Sequence, residues 1–245
     1  MDKLNITRMD SEQLSYKTKM ALIDTIRLNG TDGRPFKLPN EDELSQRLGV
    51  SRNVLRDALM SLEEMGIVTR RRSKGTMANP KIATAVCRLD TDPELFHMIE
   101  AAGFQARVES VRTGFVFEAE PALETDFYLN VEKLFFADDL PVAYCADHIS
   151  GKYANVSNDS AMELRELSHY KFMEKYCRVS MAYTMAHIDA TLPEPWLAEQ
   201  LQIPATEPVL LMDDYAYSYD HELVAHSTIW FRRGTLDLKF LRKSW

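Results

Sequence analysis

One stretch constrains the fold of this chain more than any other. Between Asn40 and Met65 two helical patterns stand either side of a short turn, Gly49-Val50-Ser51. Asn40, with Glu43 three residues on, has the spacing of a capping box. Leu44 and Leu48 form the inner face of the helix it opens. Gly49 ends that helix and tolerates the left-handed backbone of a tight turn. Ser51 then caps a helix of roughly residues 52–65. On it Leu55, Ala58 and Leu62 point one way, and Asn53, Arg56 and Asp57 the other. Two short helices joined by a Gly turn form a helix-turn-helix unit.

The flanks extend the pattern. Ser11 caps an earlier helix with Tyr16, Met20, Ile23 and Ile26 at helical spacing, ending near Asn29-Gly30. A loop with Gly33 and Pro35 follows. After Gly66, Ile67-Val68-Thr69 reads as a strand, Arg72-Ser73-Lys74-Gly75 as a turn, and Thr76-Met77-Ala78 as the return strand. Such a unit lays its second helix in the DNA major groove, with the first residues on base edges. Ser51, Arg52, Asn53 and Arg56 stand there, and Arg and Asn are the side chains that read guanine and adenine. Arg70, Arg71, Arg72 and Lys74 crowd the hairpin, placed for phosphates or a minor groove. The alternative is a small helical domain with an incidental basic turn.

Charge divides the chain in the same way. The whole carries −8, but residues 1–80 hold 14 Lys/Arg against 11 Asp/Glu, and the rest 15 against 26. Only the first part is suited to a polyanion. The acidic remainder would resist wrapping DNA, which disfavours a purely architectural DNA-binding protein. No apolar run reaches the ~18 residues of a membrane span. No apolar stretch stands behind a basic start, so no secretory signal is expected. Three widely spaced cysteines, Cys87, Cys145 and Cys177, read as reduced thiols of a cytoplasmic protein.

Leu38 through Leu44, Leu48 through Leu59, Leu62 through Val68 and Lys74-Gly75-Thr76 together resemble the winged-helix pattern of the GntR family of bacterial transcription regulators. The resemblance implies a dimer on a short palindromic operator of double-stranded DNA, with Arg52 and Arg56 as the main recognition contacts and Gly75 as the wing turn. Two positions depart from the pattern. Ser73 replaces a frequent Gly, and Asp42 stands where many members have a residue that touches DNA.

Residues 79–90 read as a linker, opened by Asn79-Pro80. A helix follows from Thr91 or Asp92 to Gly103, with Pro93 in its first turn. Six strand-like runs come next, near 106–117, 129–136, 141–149, 180–190, 208–219 and 223–233. Helices are expected near 162–177 and 194–201, and turns at Asp138-Asp139 and 219–222. The pattern predicts an α+β domain with a mostly antiparallel sheet. The division is therefore 1–78 for DNA binding, 79–90 as linker, and 91–245 for a second domain.

That second part resembles the UTRA effector domain of the HutC subfamily. The resemblance rests on Phe96 through Gly103, Val131 through Phe135 with Asp139 through Ala143, Leu197 through Leu201 with Pro208 through Met212, and Thr228 through Arg232. It implies a fold similar to chorismate lyase, used to bind a small effector and to dimerise. The other large subfamily, all-helical with metal-binding histidines, does not suit this strand content. Members that bind sugar phosphates carry Arg-x-Arg before the hairpin and a Glu after it. Lys133, Phe135 and Cys145 occupy those places here, and Ser168 and Tyr170 match a Ser and a Tyr of the next helix. Ala225 replaces an acid and Phe231 a frequent Tyr. A phosphate needs several donors or charges, so a less polar effector is expected, a carboxylate or an aromatic compound held by Lys133. Phe135 and Phe231 serve equally well as core.

Enzyme chemistry finds little support. Among His97, His148, His169, His187, His221 and His226 no metal-ligand spacing recurs. No nucleophile elbow, P-loop or dinucleotide fingerprint is present. No catalytic residue, metal or cofactor is expected. A lyase activity inherited with the fold is the alternative.

Overall fold

A computed structural model of the chain describes residues 11–91, 94–154, 169–177 and 179–243. The described residues fall into two compact units, one of those up to 85 with those from 240 on, the other of those between 86 and 239. No helix among the described residues is long and apolar enough to cross a membrane.

The first unit opens with α1 (Ser11–Asn29), then β1 (Phe36–Lys37), α2 (Glu41–Leu48), α3 (Arg52–Glu64), β2 (Val68–Arg71), β3 (Gly75–Ala78) and the short α4 (Pro80–Ala83). The caps sit where expected. Asn40 accepts from the Glu43 N–H at 2.9 Å, and Ser51 from the Val54 N–H at 3.3 Å. The Glu43 carboxylate instead pairs with Arg47 one turn on, so the reciprocal half of the capping box is not made. Gly49 has φ +66, which a side chain would resist. Leu55, Ala58, Leu59 and Leu62 of α3 are fully buried against Leu22, Ile23 and Ile26 of α1 and Leu44 of α2. Burying an aliphatic side chain is worth about 1.5–3 kcal/mol, so this inward stripe anchors α3.

Three details differ from the sequence expectation. Tyr16 is exposed, with the Lys19 ammonium over its ring, whereas Ile23 and Ile26 are buried and Met20 packs on the same core, joined by Thr18 and Leu22. Phe36–Lys37, in the expected loop, forms a third wing strand, giving a sheet in the order β1-β3-β2. The expected linker holds α4, whose Pro80 and Ala83 are buried. The last residues also belong to this unit. The Lys243 ammonium donates to the carbonyls of Glu63 and Glu64, and the Leu241 side chain lies over Gly66. Carbonyls at the end of a helix lack intrahelical partners, so a cation there is favoured.

The second unit begins with α5 (Leu95–Ala101), closed by Gly103 at φ +93. The start expected at Thr91 or Asp92 is not met at Thr91, which lies in a turn; Asp92 and Pro93 lie outside the described residues, and the helix begins at Leu95. Then come β4 (Ala106–Val116), a 3-10 turn (Pro121–Leu123), β5 (Tyr128–Ala137) and β6 (Leu140–Ser150). α6 (His169–Tyr176), β7 (Met181–Thr191), α7 (Pro195–Gln200), β8 (Val209–Ser218) and β9 (Leu223–Phe231) complete it. The six strands form one antiparallel sheet in the order β4-β5-β6-β9-β8-β7. Both expected turns hold, with Asp138 and His221 at positive φ.

On one sheet face two apolar clusters form, one with Leu95, Met98 and Ile99 of α5, the other with Phe172 and Met173 of α6. On the opposite face Leu197 and Ala198 of α7 cover Leu134, Phe136 and Tyr144. The result is an α+β domain with helices on an antiparallel sheet.

Candidate functional site

In the first unit the outer side of α3 is polar. Ser51, Arg52, Asn53 and Arg56 are all exposed, because the 3.6-residue period turns them away from the buried Leu55, Ala58, Leu59 and Leu62. The two arginines are held by acids of α2. Arg52 Nε lies 2.9 Å from Asp42 Oδ1, and Arg56 Nε 2.8 Å from Glu41 Oε2. Asp42 therefore holds the Arg52 side chain at the start of α3. Both pairs are solvent-exposed, so they are weak and screened by salt. A guanidinium can exchange such a partner for a base edge or a phosphate.

The wing basic residues separate into two groups. Arg71, Arg72 and Lys74 are exposed around the turn at Gly75, whose φ is +79. Arg70 is tied back to α3: its backbone N–H and its Nε donate to the two carboxylate oxygens of Glu63, at 2.9 and 2.8 Å. Burial pushes the Glu63 carboxyl up, but the backbone and side-chain hydrogen bonds from Arg70 together hold it below its ordinary value. Arg70 thus joins the wing to the recognition helix.

In the second unit, strand register gathers residues far apart in sequence. On the face carrying α5 and α6, Lys133 lies opposite Cys145, and Phe135, Ala143 and Phe231 form the adjoining row. One row the other way, Asp147, Ser227 and Asp214 are neighbours. Lys133, Cys145, Asp147 and Ser227 are all buried. Asp147 Oδ1 accepts from Ser227 Oγ at 2.6 Å and from the Cys145 thiol at 3.3 Å. Burial pushes the Cys145 thiol well up, and the Asp147 charge and hydrogen bond add to this, while Lys133 pulls the other way. A buried polar patch therefore sits beside an aromatic one, between the clusters built on the two helices.

Four of the six effector residues expected from sequence, Lys133, Phe135, Cys145 and Phe231, share this face. Ser168 lies outside the described residues, and of Tyr170 only its place in α6 is described. Asp147, Asp214 and Ser227 were missed. Only their alternation with Cys145 and their strand partners could have flagged them. On the opposite face, Glu120, His148 and His226 converge although no ligand spacing links them along the chain. None of the three cysteines forms a disulfide.

Comparison with known proteins agrees with both units. Residues 36–77 match the gntR family of bacterial regulatory proteins, and residues 123–235 match the UTRA domain. The HTH-type transcriptional repressor NagR of Bacillus subtilis is 23% identical over 233 residues, 94% of each chain. The HTH-type transcriptional regulator GgaR of Escherichia coli is 55% identical over 42 residues, 17% of each chain. Among solved structures, YydK of Bacillus subtilis superposes with TM-score 0.72 at 13% identity, covering 97% of this chain and 100% of its own. PhnF of Mycobacterium smegmatis gives 0.54 at 20%, covering 93% and 100%. These structures agree in fold. With a gntR-family DNA-binding unit and a UTRA domain on one chain, the protein is a transcription regulator of the GntR family, of the HutC type.

Proposed function

We propose that this protein is a one-component repressor that binds a palindromic operator as a dimer and answers to a small metabolite. The observation that carries the reading is the outer face of α3, where Arg52, Asn53 and Arg56 stand exposed at the N-terminal end of a helix anchored by its other face. Arg71, Arg72 and Lys74 supply phosphate contacts beside it. Repression is read from NagR, a transcriptional repressor to which this chain is similar over nearly its whole length. A DNA-bound regulator of a bacterium works in the cytoplasm.

Dimerisation has support in β7, an edge strand of eleven residues with no strand beyond it among the described residues. It exposes Tyr183, Met185 and Ile188. A long apolar edge invites pairing with a second copy. The effector binds the face with Lys133, Cys145, Phe135 and Phe231. Lys133 shares that face with Asp147 and Asp214, so its charge is offset, and a phosphate would meet carboxylates as well as an ammonium. This favours an effector with an aromatic or apolar part against Phe135 and Phe231 and a polar end that meets Lys133. To change occupancy it must bind the two conformations of the dimer unequally.

Selection of sequences bound by the full-length protein from a random duplex pool tests the reading. An inverted repeat with half-sites about one helical turn apart is expected. Recovery of no preferred sequence would overturn it. Native mass spectrometry of the purified protein then reports the dimer and a co-purified small molecule.

A further inference from the structure

The sheet face opposite the effector patch carries a second cluster. His148 on β6 and His226 on β9 are directly opposite each other in register. Glu120, which opens the 3-10 turn between β4 and β5, reaches over them, and its Oε2 lies 2.7 Å from His148 Nδ1. One donor atom from each of Glu120, His148 and His226 lies within 4.8 Å of the others. Metal–nitrogen and metal–oxygen bonds to such ligands are about 2.0–2.2 Å. Each donor would therefore shift by less than about 1 Å to share one ion.

The surroundings of His226 point the same way. Asp213 Oδ1 lies 3.2 Å from His226 Nε2 and also accepts from Thr228 Oγ1 at 2.9 Å. With Nε2–H donated to Asp213, the ring lone pair is on Nδ1. That atom is buried and has no hydrogen-bond partner among the described residues. A carboxylate on the far nitrogen is the usual support of a metal-binding histidine, since it sets tautomer and ring plane. A buried acceptor without a donor is costly, and a cation would satisfy it. The ring planes are further held by Tyr215, stacked on His226 at 4.6 Å, and Tyr128, against His148 at 4.4 Å.

We propose that Glu120, His148 and His226 form a binding site for a divalent transition-metal ion, with Zn2+ the best match to two imidazoles and one carboxylate. Mg2+ and Ca2+, which prefer all-oxygen shells, are disfavoured. Three protein ligands leave a position open for water or an anion. The ion would staple the β4–β5 connection to the central strands. The site lies on the face away from Lys133 and stands or fails independently of the effector reading.

The test uses the full-length protein, stripped with a chelator and titrated with ZnCl2 alone by calorimetry, and with Co2+ by its visible absorption. One Zn2+ per chain is expected, with no saturable uptake of Mg2+. His148→Ala/His226→Ala should abolish the uptake and the Co2+ bands. Asp213→Asn, which meets His226 at its far nitrogen and is not one of the three ligands, should weaken binding about 10–100-fold. Glu120→Gln keeps the side-chain shape and should also weaken it, so the test survives if the double variant fails to fold. No saturable Zn2+ binding by the parent, or equal binding by parent and Glu120→Gln, overturns the proposal. Operator binding by the stripped protein reports separately on the regulator reading.

Discussion

Gly66→Ala probes whether the end of the chain closes over the recognition helix. Gly66 has φ +75, and a Cβ built there would collide with the Leu241 side chain. Gly49 has nearly the same backbone, φ +66, but no described residue comes within 4 Å of the same position. The left-handed conformation costs a residue with a Cβ about 1–2 kcal/mol. Gly49→Ala should lose that and no more. Gly66→Ala should lose it plus about 0.5–1.5 kcal/mol, the cost of turning the end of the half-exposed Leu241 side chain off its rotamer. Thermal unfolding of the full-length variants measures the difference. In a domain of 60–100 residues about 1 kcal/mol moves the midpoint by roughly 4–8 °C, so the excess is readable. Gly66→Ala/Leu241→Ala should recover much of it, because neighbours are non-additive. Equal losses at Gly49 and Gly66, or strictly additive effects of Gly66→Ala and Leu241→Ala, would refute the docking of the tail on this unit.

Other perturbations separate the remaining roles. Arg56→Ala should lower operator affinity about 5–150-fold, the range for a bidentate base contact, and leave random DNA nearly unchanged in a competition binding assay. Neutralising Arg71, Arg72 or Lys74 singly should weaken all sequences alike and reduce the salt slope by about one unit each. Arg70→Ala should instead show in the melting curve. Because the Glu63 carboxyl is held below its ordinary value of 4.5, its contribution to stability is present above that pH and fades as pH falls through the depressed folded value. Glu63→Gln should remove that part of the acid slope in pH-dependent unfolding. Burial pushes the Cys145 thiol well up and the Cys177 thiol up to about 12. Neither should react with a maleimide near pH 8 until the protein is unfolded, and rapid labelling of Cys145 would contradict its burial.

Much of the DNA-binding unit is readable in the chain because its signals are short-range. Asn40 and Ser51 cap helices within three residues of themselves. Gly49 and Gly75 adopt the turn backbone that their lack of Cβ allows. The stripe Leu55, Ala58, Leu62 is set by helical period, and its burial leaves Arg52 and Arg56 facing out. Alternation and turn residues likewise placed all six strands of the second unit to within a few residues. What a local reading misses is what arrives from a distance. Lys243 and Leu241 return to the end of α3, and Phe36–Lys37 becomes a strand only because β3 offers it a partner.

The sequence alone determined which residues turn inward along each helix and strand, and so which face of α3 is free to read a duplex. Tertiary structure decided which distant residues meet. Register set Lys133 beside Cys145 and Asp147 beside Ser227. It brought His226 to His148 across β9 and β6, and gave Arg52 and Arg56 to the acids of α2. Caps, turns and periodicity act over a few residues, whereas the pairing of strands and the approach of side chains depend on how the whole chain packs.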